Sequence, residues 1–254
     1  MEDLLGSTLI VAFGAVVAGG LVHGTLGIGF PMVATPLIAL ATDVKTAILL
    51  TLAPTLAVNV ISIIHGGQWQ HSLARHWPIA VFMLAGSIFG TWMLLYTEPI
   101  IFKPVLAAII LLYLYTTSVK GTGWHWIRRN PRIAGATFGI LGGVTAGTVN
   151  VAVPVLIIYF SELQLAPLAL IQILNLCFLA GKVAQVGTFA VSGHLAWSML
   201  LLAVPMAVLA CLTLYAGFNI RKRVDAATYA RWLRRMLLFI AGVLVVQFVR
   251  HTTS

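Results

Sequence analysis

The sequence predicts an all-α polytopic membrane protein: a helical bundle of two inverted repeats, each carrying a short helix behind a glycine-rich break. Three observations predict it. Of 254 residues, 60% are hydrophobic and only 8% charged, with a mean hydropathy of +1.02; a soluble chain carries about a quarter charged residues. Apolar runs approaching the ~20 residues that span a bilayer recur along the chain. The stretch at 24–31, GTLGIGFP, returns 123 residues later as GTVNVAVP at 147–154, with Gly, Thr and Pro at matching places.

This composition leaves little room for a soluble domain. The net charge of +9 is therefore no argument for nucleic acid and is read loop by loop against the lipid bilayer. Glu2 and Asp3 stand where a secretory signal would be basic. Cys177 and Cys211 both fall in apolar segments and read as small hydrophobes rather than a disulfide.

Ten apolar elements follow in order, near 4–22, 31–42, 44–64, 79–97, 100–118, 133–149, 151–161, 165–190, 195–217 and 235–249. The first is a retained helix, too long for a signal-peptide core. The second opens at Pro31 and holds 12 residues, about 18 Å as a helix, short of a ~30 Å hydrocarbon core. The third carries Thr51, Thr55 and Asn59 on one face. The fourth and fifth complete a first repeat, 1–120. The sixth has Gly135, Gly139, Gly143 and Gly147 at the four-residue spacing of helix packing. The seventh, behind Pro154, is as short as the second. The eighth holds Gln172, Asn175, Lys182 and Gln185, and the last two complete a second repeat, 121–254, in a single integral-membrane domain.

Counting a crossing for every element, with the N-terminus outside, puts most lysine and arginine in the cytoplasm: Arg75, the group Lys120 to Arg132, and the group Arg221 to Arg235. Counting the short elements as re-entrant gives eight crossings and strands the 221–235 cluster outside. Ten elements, five per half, make the halves inverted. The 221–235 segment reads as a cytoplasmic helix or loop beside anionic lipid.

Broken helices are tolerated in membranes only where they line a cavity or are buried in protein. Paired breaks in two inverted halves point to a transporter's binding site. Pro31 and Pro154 suit the first turn of a helix. Amides around Gly27, Ile28 and Gly29, and around Asn150, Val151 and Ala152, would then face a common centre with two positive dipole ends, an arrangement that suits an anion. Packing alone is the alternative for these glycines. Lys182 adds a positive charge within a helix, with no acid on its own face; such a lysine is costly unless it has a partner, and the partner would be the substrate. Snorkelling to the interface is its alternative. Gln172, Asn175 and Gln185, with Asn59, Thr55 and Thr51, serve either as ligands or as interhelical hydrogen bonds. His23, before the first break, is a proton carrier, an anion donor or a structural histidine. His65, His71 and His76 lack the spacing of a metal site, and no cofactor is implied.

The chain resembles the sulfite exporter TauE/SafE family. The resemblance rests on the glycine break and following proline in HGTLGIGFPMVATPL and AGTVNVAVPVLIIYF, and on the polar glycine turns HGGQWQHS at 65–72 and VSGHLAWS at 191–198. Ile28 interrupts the glycines of the first break, and Asn150 and Ala152 replace those of the second. The resemblance implies a bacterial inner-membrane permease that exports or exchanges sulfite, sulfonates or related small anions. Joined to the residues, it gives a secondary transporter, not an enzyme, working by alternating access around Lys182. An anion channel or an uptake carrier of the same architecture is the alternative. The glycine pairs would allow a homodimer without demanding one.

Overall fold

The computed structural model describes residues 2–67, 74–116, 124–195, 197–221 and 226–253. It is all-helical: α1 (Glu2–Leu26), α2 (Phe30–Ala41), α3 (Val44–Gly66), α4 (Ala74–Tyr96), a 3-10 turn (Pro99–Ile101) leading into α5 (Phe102–Thr116), α6 (His125–Arg129), α7 (Pro131–Val149), α8 (Val153–Glu162), α9 (Pro167–Val191), α10 (Trp197–Arg221) and α11 (Ala226–Thr253). Among the described residues six helices are long and apolar enough to cross a membrane, and α2 and α8 are short apolar helices. Large apolar side chains such as Phe89, Leu201 and Phe239 lie exposed on the outside of the bundle, as lipid-facing residues must.

Each short helix starts where the sequence places it. Pro31 and Pro154 occupy the first turns of α2 and α8, where the missing N–H deprives the helix of nothing. Several boundaries differ from expectation, among them the start of α4 at Ala74 rather than 79 and the end of α10 at Arg221 rather than 217. α1 continues through Gly24 to Leu26, because Gly24 is a packing glycine: a Cβ there would overlap the Leu214 carbonyl of α10. A five-residue helix, α6, precedes α7, with Ile127 buried and Arg128 paired to Glu162 at 3.3 Å. The basic segment that was to lie outside the last element is partly helix: α11 runs unbroken from Ala226 to Thr253 and carries Arg231, Arg234 and Arg235. Residues 68–72 and 196, within the two polar glycine turns, together with 73, with 117–123, which hold Lys120, and with 222–225, lie outside the described residues. Of those turns, Gly67 and Gly193 are described, both left-handed at φ 67 and 73, and they end α3 and α9.

The helices pair across the two halves of the chain. α1 packs on α10 and α4 on α7, α3 on α9, α3 on α10 and α4 on α9, and α5 on α11. Exchanging each helix of one half for its counterpart in the other leaves this set of pairings unchanged. Glycines make the closest approaches. Gly20 and Gly24 face Ala210, Thr213, Leu214 and Gly217, so α1 and α10 run parallel. Gly86 and Gly90 face Ile140 and Val144 in the same sense along α4 and α7. α3 and α9 run antiparallel: Gln172 reaches Ser62 at one end, while Thr55 and Lys182 share a cavity further along. Two apolar cores result. One joins α1, α2, α3, α5, α10 and α11; the other joins α4 and α6 to α9.

Candidate functional site

The first break is a glycine device. Gly27 (φ 84) and Gly29 (φ 108) are left-handed, a region that glycine enters without a Cβ penalty. The second break turns at Asn150 (φ 63); asparagine is the side chain that best tolerates this conformation after glycine. Its side chain then has work of its own. Asn150 Nδ2 donates to Thr35 Oγ1 at 2.6 Å and to Thr51 Oγ1 at 3.0 Å. The second break is thereby tied to α2 and α3 of the other half.

Several of the expected free amides are already used. Gly27 N–H donates to His23 O at 2.6 Å, Asn150 N–H to Ala146 O at 3.1 Å and Val151 N–H to Thr145 O at 3.4 Å. They close the ends of α1 and α7, as the last carbonyls of any helix require. These three amides, expected to face a ligand, are engaged within the chain. The helix starts themselves do meet. Pro31 and Met32 of α2 and Val151, Ala152 and Val153 at the start of α8 line one cavity of about 10 Å³, room for a single water.

Lys182 belongs to that cavity, with Thr55, Asn150, Gln185, Ala146, Met83, Phe178 and Gly181. It is 3% exposed, so it does not snorkel. Lys182 Nζ donates to Gln185 Oε1, and Gln185 Nε2 donates to Gly147 O at 3.0 Å, which fixes the orientation of the amide. Among the described residues no carboxylate lies within ion-pair distance of Lys182. Thr55 Oγ1 lines the same cavity, buried and without a hydrogen-bond partner. The site thus offers the Lys182 amino group, a hydroxyl and two helix N-termini to whatever enters it.

The remaining candidates are placed elsewhere. His23, Gln172, Asn175 and Asn59 do not line this cavity, nor do Gly27, Ile28 and Gly29; Thr51 reaches it only through Asn150. His23 is fully buried and structural in its bonding. Phe30 N–H donates to its Nδ1 at 3.4 Å, which leaves the ring proton on Nε2, so that Nε2–H donates to Ser62 Oγ at 3.0 Å. The ring bridges the first break by capping α2 from the end of α1. Residues that the sequence reading missed include Thr35, Ser62 and Met83. Ser87 is another: its hydroxyl donates to Gly181 O at 2.7 Å. The recurrence of small polar residues on one face of α3 was the only signal for Ser62; nothing local marked the others.

A multi-helix bundle with two broken helices meeting at a buried, unpaired lysine defines an integral membrane protein with a polar interior, the architecture of a transporter. The comparison by sequence gives the family: the chain belongs to the sulfite exporter TauE/SafE family, which it matches over residues 11–248. It is accordingly a multi-pass membrane protein of a transporter family. No curated protein and no solved structure matches it significantly.

Proposed function

We propose that the protein exports small sulfur-containing oxoanions, sulfite or a sulfonate, across a bacterial inner membrane, with Lys182 as the charge that binds them. The observation that carries this is the buried Lys182 ammonium, whose hydrogen-bond acceptor is a neutral amide, beside the first turns of α2 and α8. A charge in so dry a site calls for a counter-charge, and a transported anion supplies it. Thr55, Asn150 and Gln185 orient the anion. The family's description as a sulfite exporter agrees with the sign of this charge.

The cycle is alternating access of two inverted halves, 1–120 and 121–254, with the N-terminus periplasmic. The matched helix pairings and the antiparallel run of α3 and α9 support the inversion. The cavity of about 10 Å³ is too small for an oxoanion, which favours an occluded carrier over a continuous channel. Outward movement of one negative charge is favoured by ~2.3 kcal/mol per 100 mV of inside-negative potential, so export by such a site has its own driving force. The test is thermal unfolding of the detergent-purified protein with sulfite, sulfate, thiosulfate, sulfoacetate or taurine. One sulfur anion should raise the midpoint of the wild type and fail to do so for Lys182→Gln. Wild-type affinity in Lys182→Gln would remove the lysine from the site.

A further inference from the structure

The seam between α3 and α9 contains buried oxygens that an anion site cannot use. Gln172 is 2% exposed, and Asn175 and Asn59 are 0% exposed. Gln172 Nε2 donates to Ser62 O at 3.1 Å. Asn175 Nδ2 donates to Gly27 O at 2.9 Å and to Ile171 O at 2.8 Å. These bonds fix which end of each amide is oxygen. Gln172 Oε1 is left buried without a hydrogen-bond partner, as are both side-chain polar atoms of Asn59; Asn175 Oδ1 is buried facing the His23 ring.

The antiparallel register of α3 and α9, with Ser62 against Gln172, sets Asn59 level with Asn175. Gln172 and Asn175 are three apart on α9 and share a face. Asn59 precedes Ser62, the residue opposite Gln172, by one turn of α3. The seam also abuts the end of α1, through the bond of Asn175 to Gly27, and a helix C-terminus carries the negative end of its dipole. Every oriented free atom is thus an acceptor, set against a negative helix end. An oxoanion would be repelled there. A buried, unpaired acceptor is expensive, so such a group of them requires a positive or proton-donating occupant. Small hard cations take oxygen ligands, and carriers hold sodium with neutral oxygens at the C-terminal ends of broken helices. With no carboxylate among these side chains, a monovalent ion fits and a divalent one does not.

We infer that the seam formed by Asn59, Gln172 and Asn175 beside the end of α1 binds a small monovalent cation, sodium, at a site separate from Lys182. Asn175 and Lys182 are seven residues apart on α9, about 10 Å along the helix axis. The cation site stands whether or not the anion reading does.

Thermal unfolding at fixed pH and ionic strength tests it, with sodium chloride replaced stepwise by choline or potassium chloride. Sodium should raise the midpoint saturably where choline does not, as a ligand of the folded state must. Asn59→Leu should abolish the sodium shift. Asn59→Asp forfeits no hydrogen bond and adds a charge, and should lower the half-saturating sodium concentration ~10-fold or more. Lys182→Gln should keep the sodium shift while losing that of the anion, so the two readings fail separately. An equal response to sodium, potassium and choline means that these oxygens hold water only, and overturns the inference. So does a sodium shift that survives Asn59→Leu at full size.

Discussion

Asn150 does two separable things, and two substitutions at one position separate them. Its backbone holds φ 63, and its amide donates two hydrogen bonds to Thr35 and Thr51 across the bundle. Asn150→Gly keeps the turn and removes both bonds. Interhelical hydrogen bonds in membrane proteins average ~0.6 kcal/mol and reach ~1.7, so their loss destabilises by about 1–3 kcal/mol. Asn150→Ala removes the same bonds and forces a Cβ into the left-handed region, at ~1–2 kcal/mol more. Glycine's greater freedom in the unfolded chain offsets ~0.4–1 kcal/mol of that difference. Alanine should therefore be the worse of the two by about 0.5–1 kcal/mol, despite being the better helix former. Equilibrium unfolding in mixed detergent measures both. Alanine equal to or better than glycine would refute the left-handed turn at the second break. A glycine variant as stable as wild type would refute the bonds to Thr35 and Thr51.

The same position offers a functional test: Asn150→Asp puts a carboxylate into the cavity that Lys182 lines, and should abolish anion-induced stabilisation by occupying the lysine from within. At the α4–α7 contact, a side chain at Gly143 would overlap the Met83 backbone carbonyl; Gly143→Leu should leave no folded protein by size-exclusion chromatography, whereas Gly187→Leu, which meets nothing within 4 Å, should elute as wild type. Cys177 is 0% exposed and Cys211 half-buried, so mass spectrometry after maleimide treatment should find Cys177 modified only once the protein is unfolded.

Much of this molecule is legible without coordinates because the bilayer makes sequence local. Composition alone gives the class, since a chain this apolar has no alternative to membrane helices. The two short helices announce themselves by length and by proline at the start. Lys182 stands out because few acids exist to pair with it. Misreadings came where one residue type has two uses. Gly24 belongs both to the break motif and to a four-residue packing pair with Gly20, and the facing backbone of α10 makes it a packing glycine. α6 is too short to show a period; it is fixed by Ile127 and by the contact of Arg128 with Glu162.

The chain alone tells the kind of element at each point and that a lysine lies among the apolar helices. Which helices touch was decided by tertiary structure: α4 lies with α7 and α10 with α1, so each apolar core draws on both halves of the chain. Tertiary structure also divided the polar residues. Gln172, Asn175 and Gln185 look equivalent along one helix. They differ because an amide has a donor end and an acceptor end, and the carbonyls that consume the donors come from distant segments. Ser62 O takes that of Gln172, Gly27 O that of Asn175, and Gly147 O that of Gln185. No periodicity encodes which end remains.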